Sequence, residues 1–276
     1  MNADLHCHST VSDGQLAPAE VARRAHACGV TLWALTDHDE IRGQLEAREA
    51  AQALGMGYLA GVEISVTWAS RTVHIVGLNI DPTCQTLIDG LARTRNGRSA
   101  RAEAIGEQLA ALGIPDAYAG ALKYVSNPDM ISRTHFARYM VESGYAASTQ
   151  DVFSRYLGDG KSGNVPHRWA KLADAVSWIQ AAGGEAVIAH PGRYAYTPVE
   201  FDALFGEFID LGGKAIEVVT GSHTPDQYRE YAEVARRFGF EASRGSDFHA
   251  VEPGRVDLGS LPPLPSFLTP VWTRWL

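Results

Sequence analysis

Short apolar runs alternate with longer helical ones along this chain, and that alternation constrains its fold more than any other feature. The apolar runs read as strands at Ala3–His6, Thr31–Thr36, Tyr58–Ile64, Thr72–Ile80, Glu185–Ala189, Lys214–Thr220 and Phe240–Gly245. Helices fill most of the intervals. Pro18–Cys28 has Pro in its first turn and Gly29 just past its end, as helix punctuation requires. Glu40–Leu54 stops at Gly55, and Trp169–Ala182, Glu200–Leu211 and Asp226–Phe238 follow later. Strand–helix alternation over most of a chain predicts a parallel sheet with covering helices, an α/β architecture. Such barrels reach about 250 residues as one unit, so 276 residues fit one large domain with an insertion as well as two domains.

One stretch breaks the alternation. Residues 87–171 show helical patterns and turns but no convincing strand, with helices expected at Arg93–Leu112, Thr134–Ser143 and Thr149–Leu157 and a flexible turn at Gly158–Gly163. This reads as a helical insertion, a substrate lid, in a barrel formed by residues 1–86 and 172–276. Charge separates the two parts. Residues 93–171 hold 11 of the 24 basic and 7 of the 32 acidic residues, +4 in all, while the rest of the chain carries -12.

The net charge of -8 excludes a globally basic nucleic-acid binder. Cys7, Cys28 and Cys84 are odd in number and form no CxxC, which fits a reducing cytoplasm. The start, MNADLHCHST, lacks the basic and apolar regions of a secretory signal. No apolar run approaches the roughly 18 residues of a membrane span. The expectation is a soluble cytoplasmic protein with no membrane attachment and no implied protein partner.

Nearly every expected strand delivers a metal-competent side chain at or just after its end. His6 and His8 end the first, with Asp13 in the following loop. His38 follows the second, Glu63 lies in the third and His74 in the fourth. His190 follows the fifth, and Asp247 and His249 follow the seventh. In strand–helix barrels, that rim is where catalytic groups converge. Residues i and i+2 on extended backbone point the same way. His6 and His8 can therefore reach one ion while Cys7 faces the other side, and Asp247 with His249 repeats the pattern. Six imidazoles and three carboxylates exceed one cation's needs and suit two or three. A lone His or Asp near a strand end is usually a turn residue, but two such pairs would need separate structural excuses. An unpaired Glu63 in an apolar strand would be costly to bury.

Other polar residues read differently. Cys7 could be a nucleophile, but nothing activates it and a small core residue is the better reading. Asp37 and Asp39 orient His38 or simply form a turn. Glu217 touches the site or pairs with a neighbour. His26 reads as an ordinary helix residue, and His167 and His223 as surface. No phosphate-binding loop or nucleophile-elbow motif is present.

The ordered set Asp4-Leu5-His6-Cys7-His8-Ser9, Ser12-Asp13-Gly14, Thr36-Asp37-His38-Asp39, Gly61-Val62-Glu63, Ala189-His190-Pro191-Gly192 and Asp247-Phe248-His249 resembles the PHP (polymerase and histidinol phosphatase) family of metal-dependent phosphoesterases. The resemblance implies a distorted seven-stranded (β/α) barrel with up to three metals. It implies one ion on His6, His8, Glu63 and Asp247, a second on Asp13, His38 and His249, and a third on His74, His190 and a bridging Glu63. Within the insertion, Ile131-Ser132-Arg133-Thr134-His135-Phe136-Ala137-Arg138 is similar to a motif of family members that remove phosphate from nucleotides, with Thr134 where Pro is more usual.

Clustered cations suit phosphate-ester hydrolysis by direct attack of an activated water. Asp13, His38 and His249 are the candidate catalytic groups. Asp13 and His38, with Arg101, Arg133, Thr134 and His135, are the candidate substrate contacts. The expected cofactors are two to three divalent ions, Mn²⁺ first, with Fe²⁺ or Zn²⁺ as alternatives. The expected reaction removes the 3'-phosphate of a nucleoside 3',5'-bisphosphate, a small-molecule nucleotide substrate. A 5'-to-3' exonuclease on short oligonucleotides and a histidinol-phosphate-type phosphatase are the alternatives, and a non-enzymatic metal-binding domain fits the ligand set poorly.

Overall fold

The computed structural model describes residues 1–252 and 255–276. Seven strands form one sheet in chain order: β1 (Ala3–Asp4), β2 (Leu32–Leu35), β3 (Gly57–Trp68), β4 (Arg71–Leu78), β5 (Glu185–Ile188), β6 (Ala215–Thr220) and β7 (Glu241–Gly245). The first and last strands meet. Leu5 N–H donates to Arg244 O at 3.0 Å, and Asp247 N–H donates to His6 O at 2.8 Å. The sheet is thereby nearly closed into a barrel. Helices α1 (Pro18–Ala27), α2 (Gln44–Ala53), α3 (Gln85–Arg95), α4 (Arg98–Ala111), α5 (Ala117–Leu122), α6 (Arg133–Glu142), α7 (Thr149–Val152), α8 (Leu172–Ala181), α9 (Pro198–Asp210) and α10 (Pro225–Phe238) complete it.

The sheet is mixed, where a parallel one was expected. β3 and β4 form an antiparallel hairpin, and β4 is antiparallel to β5 as well. The reason is chain length. Parallel neighbours need a crossover of about a dozen residues, but only Ala69 and Ser70 separate β3 from β4. Both have positive φ, 43° and 62°, as a tight hairpin turn demands. This reversal explains why His74 lies within its strand, opposite Ser65, rather than after it.

Alternation sorts each strand's side chains between two cores. Ala3, Leu5, Leu32, Ala34, Leu59, Val76, Leu78, Val187 and Ala215 fill the barrel, plugged at one end by Val271 and Trp272. Cys7, Trp33 and Leu35 face outward against Val21, Ala25, Ala47 and Ala51 of α1 and α2. The expected helix Arg93–Leu112 is two helices, because Gly97 stands at φ 91° between α3 and α4. Leu87 and Leu91 of α3 pack with the sheet and α8. A separate cluster runs from Ala102 and Ile105 to Phe136, Met140 and Leu157. We propose that the division between barrel and lid falls after α3 rather than at residue 87. No helix among the described residues is long and apolar enough to cross a membrane.

Candidate metal centre

The nine expected ligands converge at one end of the barrel. His6 and His8 point inward together, fully buried. Cys7, between them, points away: its Sγ donates to Ala34 O at 3.3 Å and accepts from Trp33 Nε1 at 3.1 Å. Burial pushes its thiol pKa well up, the opposite of an activated nucleophile. Cys7→Ser is expected to keep kcat within about fivefold of wild type, since a changed outward packing residue costs stability, not chemistry. A folded, inactive Cys7→Ser would contradict this.

Ligand atoms around a tetrahedral ion with bonds of about 2.1 Å stand about 3.4 Å apart. His6 Nε2 and His8 Nε2 stand 3.2 to 3.6 Å from each other, from Glu63 Oε2 and from Asp247 Oδ1, so either carboxylate meets that condition with the two imidazoles. Asp13 Oδ1 lies 3.4 Å from His249 Nε2 and 3.8 Å from His38 Nε2. Glu63 Oε1 lies 2.8 Å from His74 Nδ1 and 3.0 Å from His190 Nε2. These contacts fall within the groupings that the resemblance implied, but the compact clusters also join His6 with Glu63 and His190, and His38 with Glu63 and His74. The boundaries are less sharp than that. His38 also reaches Glu63 Oε2 through Nδ1 at 2.8 Å, and His8 clusters with Asp13, His38 and His249 too. Glu63 therefore faces imidazoles from both of its oxygens and stands at the junction of the whole centre.

The donor set fits divalent ions. Of the grouped atoms, Asp13 Oδ1, Glu63 Oε2 and His74 Nδ1 are buried and lack hydrogen-bond partners, as does His38 Nδ1. The 2.8 Å approach of His38 Nδ1 to Glu63 Oε2 is close without hydrogen-bond geometry, as expected where both atoms turn toward a third centre. Burial opposes ionisation of Glu63, but the facing His74, His38 and His6 outweigh it and hold the carboxyl well below its usual range. Asp247 and Asp13 are likewise held low by imidazoles despite burial. His8 and His190 are pushed down to about 3, burial being the main cause, which leaves neutral rings with lone pairs to give.

Neighbouring groups set the tautomers. His6 Nδ1 donates to Glu217 Oε1 at 2.7 Å, leaving Nε2 as the ligand atom. His249 Nδ1 donates to Asp247 O at 2.9 Å, with the same result. A carboxylate or carbonyl behind a ligating imidazole is the usual arrangement. Asp37 accepts from Ser9 N–H, Ser9 Oγ and Ser12 Oγ at 2.6 to 2.8 Å and so fixes the loop that leads to Asp13. Asp39 accepts from Ser65 and pairs with the buried Arg98. Neither carboxylate hydrogen-bonds His38: Asp37 ties down the Ser9–Ser12 loop, and Asp39 links Ser65 to Arg98.

His38, His74 and His249 border the opening, with Asp13 buried beside His38 and His249. His38 and His249 side chains are 15% and 14% exposed, against 0% for His6, His8 and Glu63. Beside them, Arg98, Arg101, Ser132 and Arg133 close with Ala102, Ile105, Ile131 and Phe136 around a gap too tight for a water molecule, and Ser132 Oγ donates to Asp13 Oδ2 at 3.0 Å. Arg101 and Arg133 are therefore brought together as expected. Thr134 and His135 lie in the first turn of α6, outside that lining. The Thr134 N–H donates to Ser132 Oγ at 3.2 Å, and His135 Nδ1 accepts from Ser132 N–H at 3.0 Å, so both are engaged in capping the helix.

Four residues escaped the sequence reading as site groups. Ser132 is the helix cap that reaches Asp13. Arg98 sits at the α4 start because of the break at Gly97. Arg193 follows His190 in the same loop, and its NH1 lies 3.0 Å from Asp247 Oδ2. His223 is buried beneath that loop, not on the surface. Arg193 had a local signal in its place three residues after a ligand, and Ser132 in its place within the quoted insertion motif.

The model of the PHP domain matches residues 4–126. Over 271 residues the chain is 49% identical to a 3',5'-nucleoside bisphosphate phosphatase of Chromobacterium violaceum, covering 98% of this chain and 95% of that one. It is 43% identical to a 5'-3' exoribonuclease of Haemophilus influenzae, covering 99% and 98%. A solved structure described as an amidohydrolase from Chromobacterium violaceum with bound sulfate superposes with a TM-score of 0.96 at 49% identity, over 99% of this chain and 95% of that one. With relatives matched along almost its whole length, the chain belongs to the PHP domain family and is a metal-dependent phosphoesterase.

Proposed function

We propose that the enzyme hydrolyses the 3'-phosphate of nucleoside 3',5'-bisphosphates, giving nucleoside 5'-monophosphate and phosphate. The observation that carries this reading is the cluster of Arg98, Arg101 and Arg133 gathered around Ser132, whose Oγ reaches the ligand Asp13. Two phosphates on one ribose need two sites of positive charge. Burial, with Arg133 and Arg98 close by, pushes the Arg101 guanidinium down to about 9. A bound phosphate would relieve that crowding and accept paired N–H bonds. The Chromobacterium relative's name supports the same substrate.

Divalent ions on His6, His8, Asp13, His38, Glu63, His74, His190, Asp247 and His249 supply water activation and neutralise phosphate oxygens. Mn²⁺ heads the proposal, ahead of Fe²⁺ and Zn²⁺, because the donors are imidazole and carboxylate without thiolate. His38 and His249, at the opening, contact the scissile phosphate, and Asp13 beside them helps to hold or move the protons. The arginine cluster, whose side chains must part to admit it, keeps the 5'-phosphate. We place the enzyme in the cytoplasm, acting on small nucleotides without a protein partner.

A second reading has support from the exoribonuclease relative. The 5'-terminal nucleotide of a 5'-phosphorylated RNA presents the same two phosphorus groups on its ribose. The bond broken, P–O3', is the same in both substrates. The difference is whether the 3'-phosphate is a monoester or a diester.

Arg101→Ala tests the two-site reading. It should raise KM for adenosine 3',5'-bisphosphate about 10- to 100-fold, the value of a charge-assisted hydrogen-bond pair. KM for p-nitrophenyl phosphate, which lacks a second phosphate, should move little. Steady-state kinetics on both substrates decide it, and equal losses would assign Arg101 a structural role through its bond to Val165 O.

A further inference from the structure

The loop after β5 carries His190 in a strained shape. His190 has φ 26° and ψ 58°, a backbone region that a non-glycine residue holds only when its surroundings enforce it. The enforcement comes from β6 and the turn beyond it. The His190 N–H donates to Glu217 Oε2 at 2.6 Å. The Gly192 N–H donates to His223 Nε2 at 2.9 Å, and Gly192 O accepts from Gln227 Nε2 at 3.1 Å.

His223 is well made for that grip. It is 6% exposed, and its ring stacks on Tyr231 with centroids 4.8 Å apart. Since Nε2 accepts from Gly192, the proton is on Nδ1, which donates to Val218 O at 3.2 Å. Burial pushes its pKa down to about 4, so the ring stays neutral and Nε2 stays an acceptor. Gly192 leaves no slack. A Cβ there would stand 2.7 Å from Gln227 Nε2 and 2.8 Å from His223 Cδ2.

We infer that His223 is a positioning residue: by holding Gly192 it aims His190 at Glu63 and His74 and aims Arg193 at Asp247. The two targets lie on either side of the held glycine. His190 Nε2 is 3.0 Å from Glu63 Oε1, and Arg193 NH1 is 3.0 Å from Asp247 Oδ2. A released loop would relax toward an ordinary backbone shape and withdraw both side chains. The inference rests on the reading of His190 as a metal ligand.

The test is elemental analysis of Mn²⁺-loaded wild type, His223→Ala, His223→Gln and His190→Ala, with kcat and KM on p-nitrophenyl phosphate. His223→Ala should lose about one ion per chain, as His190→Ala does, and kcat should fall about 10- to 100-fold, the usual effect of removing an outer partner of a metal site. His223→Gln should restore ion and rate, because its amide oxygen can accept from the Gly192 N–H. A full metal complement in His223→Ala beside a lost ion in His190→Ala would overturn the inference alone. A full complement in His190→Ala would overturn the ligand reading beneath it. If His223→Ala is insoluble, Gly192→Ala decides. Loss of the same ion with His223 intact supports the brace, and a full complement contradicts it.

Discussion

Stripping divalent ions from the protein is expected to abolish phosphate release, and added Mn²⁺ is expected to restore it. The argument is electrostatic before it is chemical. Glu63 is fully buried and Asp13 nearly so, and imidazoles face both. Without cations, those carboxylates stay ionised and favour the protonated form of the His38 imidazole instead. His38 rises to about 9, since Glu63 and Asp13 outweigh the burial that opposes its charge. A protonated imidazole has no lone pair for an ion and activates no water. The chain alone therefore offers neither an activated nucleophile nor enough positive charge for a phosphate in flight, which clustered ions supply. Rate measurements after chelation, dialysis and metal addition check this. The melting temperature should rise with Mn²⁺ concentration in the same titration, because ions that bind only the folded chain stabilise it. Full turnover by protein shown to be metal-free would contradict the prediction.

Asp247→Ala is expected to lower kcat by about three orders of magnitude or more, a loss of about 4 kcal/mol in transition-state stabilisation. Asp247 Oδ1 stands 3.2 Å from His8 Nε2 and 3.6 Å from His6 Nε2, so its removal opens one of the ion positions. Its Oδ2 holds Arg193, so the same change frees a guanidinium at the mouth. His8→Ala should have a similar effect from the opposite side of that position. Neither should unfold the barrel, whose cores lie on the other faces of the strands and at the far end. Circular dichroism and melting curves beside the kinetics separate lost chemistry from lost fold. A folded Asp247→Ala with wild-type kcat would remove Asp247 from the centre.

Much of this was written in local sequence. The i, i+2 rule set His6 and His8 on one side and Cys7 on the other, and the structure keeps that division. Strand–helix alternation located all seven strands to within a few residues. The direction of β4 was also encoded, in the shortness of its link to β3, but strand ends drawn at Ile64 and Thr72 hid how short that link is. Gly97 could have been read as a helix break. Its neighbours carry helical spacing on both sides, and only the left-handed backbone at that one residue reveals two helices. The groups behind the ligands were beyond reach for another reason. Glu217 meets His6, Ser132 meets Asp13 and His223 meets Gly192 through single side chains from distant segments. Such contacts leave no period in the sequence. Thr134 and His135 show the converse. Their motif marked the right helix start, and capping takes up the Thr134 N–H and His135 Nδ1 there.

The most direct measurement of the central claim is product identification by phosphorus NMR from adenosine 3',5'-bisphosphate with Mn²⁺. The account predicts adenosine 5'-monophosphate and inorganic phosphate in equal amounts. Accumulation of the 3'-monophosphate would contradict it, and so would an inert bisphosphate beside rapid release of mononucleotides from a 5'-phosphorylated oligonucleotide.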